Sequence, residues 1–317
     1  MKDSHIAILD LGTNTFHLLI AVIHDDQFRI IHRKKFDVKL GEGGINRRFI
    51  TDEAWQRGIT AIREIKELIS SYHVMEIRSI ATSAIRNAKN GSSFLEAIQL
   101  ETGIKTSIID GNLEAEYIYY GVRQAITIGT KPVLIMDIGG GSVEFIIANQ
   151  REIFWKKSFE IGAQRLYDLF HRHDPVSPED ILNLKSYLEL ALHPLVPVLN
   201  KFRPDTLIGC SGTFETLSSI YCMRNSIRQI KYKKEVPIDK EAFFPIHYEL
   251  VTKNKTERLA IPGMSPMRVD MISMSSLLIH YMLTKFSFLH LKGSSYSLKE
   301  GLLSEIVDHV QIVELSA

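Results

Sequence analysis

Ile6 to Val22 reads IAILDLGTNTFHLLIAV, and Val133 to Ala148 reads VLIMDIGGGSVEFIIA. In each, an apolar strand closes on an aspartate, turns through glycine and small polar residues, and resumes as a second apolar strand. The aspartates, Asp10 and Asp137, stand 137 − 10 = 127 positions apart, so one strand-turn-strand unit recurs in the second half. Glycine lets a backbone come close to a ligand, and consecutive peptide N–H groups on such a turn converge into an anion nest. One Asp-x-Gly turn is an ordinary tight hairpin. The same turn twice, with an acid in the same place each time, reads as a pair of phosphate cradles.

At 317 residues the chain is about twice a usual domain length, which predicts two domains with sizeable cores. A hydrophobic content of 45% with 24% charged residues is that of a globular chain, and it argues against disorder. Two cysteines, Cys210 and Cys222, make neither a disulfide framework nor a zinc cluster, which fits a reducing compartment. No apolar run reaches the roughly 20 residues of a membrane span. Lys2-Asp3 ahead of an apolar stretch broken by Asp10 is unlike a signal peptide, so the expected location is the cytoplasm. A formal charge of +1 excludes a globally basic nucleic-acid binder and leaves local patches free to hold an anion. Two such patches stand out: Arg33-Lys34-Lys35, and Arg224, Arg228, Lys231, Lys233 and Lys234.

After the first hairpin, with its turn near Asp25 and Asp26, strands around Phe28 to Lys39 are expected. Thr51 then caps a helix carrying Trp55, Ile59, Ile62, Ile65 and Ile69 at helical spacing. Ile77 to Ala81 reads as a buried strand that delivers Thr82, Ser83 and Arg86 at its end, where ligands bind in open α/β sheets. Asp110 to Glu116 opens another helix. In the second half a strand over Ile153 to Phe159 follows the repeated hairpin, and Ser177-Pro178-Glu179-Asp180 starts a helix. Strand Thr206 to Gly209 empties into Cys210-Ser211-Gly212-Thr213, Ser265-Pro266 starts a long helix, and Ser297 to Glu300 caps the last one. The fold class is therefore α/β, two mixed sheets flanked by helices. The expected domains are 1–125, joined by the C-terminal helix 298–317, and 126–297, with the active site in the interdomain cleft.

Thr13, Asn14 and Thr15 offer hydroxyl, amide and backbone donors, while Gly139, Gly140, Gly141 and Ser142 offer mostly backbone donors. Donors alone bind phosphate without cutting it. Hard carboxylate oxygens beside phosphate are the usual setting for Mg²⁺, which makes Asp10 and Asp137 metal candidates. Glu144 lies two residues past Ser142, so strand alternation returns it to the same face. Phosphoanhydride hydrolysis also needs a base for the attacking water, and Glu114 or Glu116 could supply it. Arg86 is suited to bidentate contact with phosphate. The segment His171-Arg172-His173-Asp174 reads as a polar loop, Cys210 as a small buried residue, His17 as core, and Met264, Met267, Met271 and Met274 as a packing stripe on a helix. No GxxxxGK[ST] loop is present, which excludes a P-loop ATPase.

Taken in order, DLGTNTFHLL, ATSAIRNA (81–88), DGNLEAEYIYYGV (110–122), DIGGGSVEFII, Ile161-Gly162 with Arg165-Leu166, GCSGTFETL (209–217) and PGMSPMRVDMI (262–272) cover nearly the whole chain. This set resembles the exopolyphosphatase / guanosine pentaphosphate phosphohydrolase family of the actin-like ATPase superfamily. The resemblance implies two ribonuclease-H-like domains, Mg²⁺ dependence, and release of terminal orthophosphate from inorganic polyphosphate or from a guanosine pentaphosphate. By the same resemblance Glu114, rather than Glu116, is the base and Arg86 the phosphate-binding arginine. Gly12 to Thr15 and Gly139 to Ser142 are the phosphate loops, joined by Ser211, Gly212 and Thr213, and Asp137 and Glu144 organise metal and water. Thr13 and Thr15 replace common serines and keep their hydroxyls, whereas Leu113 replaces a frequent glutamate before the base and removes a negative charge. Longer members carry a C-terminal helical module that this sequence lacks, so the basic clusters or a homodimer would have to help hold a long chain. A non-catalytic sensor of alarmone or polyphosphate and a sugar kinase on the same superfamily fold are the competing readings.

Overall fold

The computed structural model describes residues 4–24, 27–228 and 234–314. The turn expected at Asp25 and Asp26, and Lys231 and Lys233 of the second basic cluster, lie outside the described residues. The chain divides into two compact units, Met1–Gly121 with Leu298–Ala317, and Val122–Ser297. No helix among the described residues is long and apolar enough to cross a membrane.

The first unit is built from β1 (Ser4–Leu11), β2 (Thr15–His24), β3 (Gln27–Asp37), α1 (Asp52–Ser71), β4 (Glu76–Ala81), α2 (Ser83–Asn87), α3 (Gly91–Thr102), β5 (Thr106–Ile108) and α4 (Gly111–Ala125). Its sheet runs β3-β2-β1-β4-β5, with β1 antiparallel to β2 and parallel to β4. Leu9, Leu18 and Ile20 from the sheet pack in one core with Ile59, Ile62, Ile65 and Ile69 of α1, and Thr51 caps α1 by accepting from the Ala54 N–H. The buried strand expected at 77–81 is buried only over its last three residues. β5 is three residues long and pairs only with Ser79 to Ala81, which leaves the start of β4 open along the sheet edge.

The second unit contains β6 (Val133–Ile138), β7 (Val143–Ala148), β8 (Ile153–Phe159), α5 (Ala163–Phe170), α6 (Pro178–Ala191), α7 (Val196–Phe202), β9 (Thr206–Cys210), α8 (Ser211–Arg224), β10 (Glu235–Val236), α9 (Lys240–Thr252), α10 (Lys255–Leu259), α11 (Ile272–Lys285) and β11 (His290–Ser294). Its sheet order is β10-β11-β9-β6-β7-β8. Set beside the first sheet, β8-β7-β6-β9-β11 repeats β3-β2-β1-β4-β5 strand for strand, so the duplication seen in two hairpins extends to a whole five-strand pattern.

The helix expected from Ser265-Pro266 begins only at Ile272. Residues between them make tight turns, Arg268 N–H to the Ser265 carbonyl and Met271 N–H to the Arg268 carbonyl. Arg258, almost fully buried, takes the Val269 carbonyl through its Nε, and Lys255 pairs with Asp270 at 2.6 Å. The Val269 carbonyl is thus drawn away from a helical ladder. Met264 and Met267 accordingly lie before the helix, while Met271 and Met274 are in the core.

On α9, His247 stacks on His280 of α11 with ring centroids 4.4 Å apart, and its Nδ1 shares a 2.8 Å hydrogen bond with Ser276 Oγ. Burial, and then the neighbouring His280, push His247 down from 6.5 to about 3. Above pH 6.5 both folded and unfolded chains carry the neutral ring. Below it the unfolded chain takes up a proton that the folded ring refuses, so stability falls on acidification through this window and levels off near the folded value. From about pH 7.5 to about pH 4.5 this group should remove about 2 kcal/mol, and that share of the loss should vanish in His247→Gln, as read from urea midpoints. Identical pH dependence in the two proteins would refute it.

The last helix, α12 (Leu298–Glu314), belongs to the first unit and packs on α4. A Cβ placed on Gly301 would lie 1.7 Å from the Tyr117 carbonyl oxygen and 2.9 Å from the Gly121 nitrogen. The two backbones therefore touch directly, and neither can be trimmed to make room. Gly301→Ala should cost about 3 kcal/mol or more, seen as a lower urea midpoint, since overpacking against backbone cannot relax through a rotamer. A variant as stable as the parent would show that α12 does not sit against α4.

Candidate active site

In the first unit, the β1–β2 turn presents Gly12 to Thr15, and Thr13, Asn14 and Thr15 are buried. The carbonyl of Thr13 accepts from the Gly41 N–H at 2.9 Å, and that of Asn14 from the N–H groups of Val38 and Lys39 at 3.0 and 2.8 Å. A trans peptide points its N–H opposite to its C=O, so the Asn14 and Thr15 N–H groups face away from the 38–41 segment. Asp10, at the end of β1, lies directly opposite His17 in the β1–β2 register.

Arg86 and Glu114 come together in the same unit. Asp110 Oδ1 accepts from the Asn112 and Leu113 N–H groups at 2.8 and 2.9 Å, which caps α4 and sets Glu114 in its first turn. Arg86 Nη1 donates to Glu114 Oε2 at 2.8 Å and to the Ile109 carbonyl at 3.1 Å. Glu114 is 7% exposed. The Arg86 contact fixes the carboxylate at the start of α4. Glu116 turns elsewhere and accepts from the Tyr120 hydroxyl at 2.9 Å.

In the second unit Asp137 and Glu144 are directly opposite in the β6–β7 register and so share one face of the sheet. Both are buried, Asp137 to 5% and Glu144 to 1% exposure. Ser158 donates to Glu144 Oε1 at 2.6 Å. One oxygen of Asp137, Oδ2, accepts from Ser211 Oγ at 2.8 Å, from Ser297 Oγ, and from the Cys210 thiol at 3.3 Å. Ser211 reaches it from a left-handed backbone, φ 69°, at the start of α8. Its hydroxyl proton is therefore directed at the acid and not at an incoming anion. Cys210 is fully buried, and desolvation followed by the charge of Asp137 pushes its thiol well up, which leaves it an inert donor. Thr213 is buried, and Gly212 lies under the guanidinium of Arg268, whose Nε and Nη2 would be 2.4 Å from an added Cβ.

The donor chemistry of this face suits a hard divalent cation: two carboxylates side by side, each with one oxygen tethered by a neutral hydroxyl. Among the described residues no group of three or more His, Cys, Asp or Glu side chains forms a metal cage. An ion held by few protein oxygens, completing its shell with water and phosphate, is the habit of Mg²⁺.

Several residues at these groups have partners that their local sequence does not announce. His17 holds, in the first hairpin, the place that Glu144 holds in the second, since each stands seven positions after its aspartate; aligning the two copies to their ends would have exposed it. Ser158 carries no local signal; Ser297, expected as the cap of the last helix, gives its hydroxyl to Asp137, 160 positions away, and Arg268, within the 262–272 motif, covers Gly212, 56 positions away.

The matching protein-family model is that of the Ppx/GppA phosphatase family, over residues 19–310. A crystal structure of an exopolyphosphatase from Cytophaga hutchinsonii superposes with a TM-score of 0.94 at 40% identity, covering 96% of this chain and 98% of that one. The Aquifex aeolicus member of the Ppx/GppA family gives a TM-score of 0.77 at 25% identity over 96% of this chain and 98% of that one. A guanosine-5'-triphosphate,3'-diphosphate pyrophosphatase of Vibrio parahaemolyticus is 27% identical over 316 residues, 98% of this chain and 61% of its own length. With a family match across most of its length and the paired actin-like sheets of that family's structures, the chain belongs to the Ppx/GppA phosphatases and is a phosphohydrolase.

Proposed function

We propose that this phosphohydrolase is an exopolyphosphatase that removes the terminal phosphate of inorganic polyphosphate. The observation that carries the reading is the buried Glu114 carboxylate, fixed by Arg86 in the first turn of α4, an arrangement a pure binding protein would not need. The high identity to a structure named exopolyphosphatase supports the choice of substrate. In this reading Glu114 takes a proton from water as its oxygen attacks the terminal phosphorus, and the bond to the bridging oxygen breaks to release orthophosphate. Gly12 to Thr15 and Gly139 to Ser142 bind phosphate oxygens, and the guanidinium charge of Arg86 stabilises charge on the transferring group. Gly212 and Thr213 extend the binding surface. Asp137 and Glu144, with Asp10 as the equivalent acid of the first hairpin, are assigned to Mg²⁺. When bound, the ion would neutralise charge on phosphate oxygens.

Glu114→Gln should lower turnover by about a hundredfold to ten-thousandfold with KM little changed, measured as orthophosphate release from long polyphosphate. Unchanged turnover would defeat the assignment. Guanosine pentaphosphate, the second reading suggested by the name of the Vibrio relative, is separated by the same assay run in parallel. Turnover should also cease in EDTA. Ser297→Ala, which frees Asp137 Oδ2 from one of its donors, should raise the Mg²⁺ concentration for half-maximal rate about tenfold, as the loss of a residue orienting a metal ligand does. A half-saturation equal to that of the parent would count against Asp137 as a ligand.

A further inference from the structure

Arg165 is a charged side chain with only 9% exposure, and the hydrolytic reading gives it no role. Its surroundings are the back of the Gly139–Ser142 turn. Three successive carbonyls of that turn are taken by the start of α5: the Gly162 N–H donates to Gly141 O at 3.2 Å, the Ala163 N–H to Gly139 O at 2.9 Å, and the Gln164 N–H to Gly140 O at 2.8 Å. Arg165 then adds its Nε on Gly141 O at 2.8 Å, while its Nη2 is held by Glu160 Oε2 at 2.8 Å. With these carbonyls turned toward α5, the N–H groups of Gly140, Gly141 and Ser142 point the other way. The donors of α5's first turn are used up on the carbonyls, so the helix does not meet an anion itself. It orients peptide dipoles in series with its own, and each hydrogen bond in such a chain polarises the next.

We infer that Arg165 is a positioning residue for phosphate binding: by gripping the Gly141 carbonyl with Glu160 as its brace, it fixes the Gly140, Gly141 and Ser142 amides as the anion-facing surface of the turn. The inference rests on the exopolyphosphatase reading, in which this turn binds the substrate. Gly162 supplies an independent handle on the same contact. A Cβ there would lie 2.4 to 2.5 Å from backbone atoms of Gly140 and Gly141, so Gly162→Ala shifts the turn with the arginine's charge intact. A lysine at 165 keeps the charge but not the planar fork that reaches Gly141 and Glu160 together.

The test uses the full chain carrying Glu114→Gln, which binds without turning over, and calorimetric titration with tripolyphosphate in Mg²⁺. Adding Arg165→Ala should weaken binding by about tenfold or more, with Arg165→Lys recovering only part of the loss. Gly162→Ala should weaken it comparably, and the Arg165→Ala/Gly162→Ala pair should be no weaker than the worse single variant, because both act on one contact. Should Arg165→Ala not fold, Glu160→Gln removes the brace from an exposed position and should weaken binding by about threefold. Affinity equal to that of the Glu114→Gln parent in the folded variants overturns the inference. So does full additivity of the pair, which would make Arg165 a simple remote charge. Failure of the Glu114→Gln protein itself to bind tripolyphosphate would instead defeat the exopolyphosphatase reading and the inference with it.

Discussion

A planar trans peptide cannot turn its carbonyl and its N–H to the same side, and both turns proposed to bind phosphate are organised by that constraint. An anion surface made of backbone needs its carbonyls taken up elsewhere, or their negative ends would face the ligand. In the first hairpin the 38–41 segment takes the Thr13 and Asn14 carbonyls. In the second, the start of α5 and Arg165 take those of Gly139, Gly140 and Gly141. The glycines permit the turn, but the strand or helix behind it decides which way the turn looks. That is why each hairpin comes with further elements of its own unit and could not act as an isolated ribbon.

The buried acids follow a related logic, with two kinds of partner. Glu114 is braced by a cation, Arg86. Asp137 and Glu144 are braced by neutral hydroxyls, from Ser211 and Ser297 for the first and from Ser158 for the second. A neutral donor fixes an oxygen without cancelling its charge, which suits these two carboxylates to the divalent cation assigned to them under the proposed function. The guanidinium beside Glu114 offsets its charge and makes that carboxylate the less attractive seat for metal, which suits the proton transfer proposed for it.

Much of this could be read from residues alone, and the boundary has a physical shape. Periodicity and punctuation gave β1–β2 and β6–β7, α1 with its Thr51 cap, and α6 with its Ser177–Asp180 capping box, since each is set by interactions within a few residues. β11, with the sequence HLKGS, has no apolar alternation and is a strand because β9 and β10 lie on either side of it. The delayed start of α11 likewise depends on Arg258 and Lys255, from a preceding element, competing for the backbone and the Asp270 side chain. Arg165 was visible as part of a motif, yet its contact with Gly141 spans 24 positions and exists only once α5 is docked behind the turn. Side chains that hold other side chains leave no period in a sequence.

The two hairpins, finally, are copies that have parted company in their chemistry. Aligned on their aspartates, Thr13-Asn14 in the first corresponds to Gly140-Gly141 in the second, and His17 to Glu144. The first copy thus pairs its aspartate with an imidazole and lines its turn with side-chain donors, whereas the second pairs two carboxylates and leaves the turn to backbone amides. Two carboxylates facing each other at the spacing of one strand pair repel unless a cation lies close by, so under the proposed function the second hairpin is the one assigned to a metal's charge. The first has no such need and can spend its hydroxyl and amide groups on phosphate oxygens. Under the proposed function, a duplicated scaffold with divergent positions 17 and 144 separates anion recognition from charge neutralisation, while the five-strand order and the hairpin register stay the same.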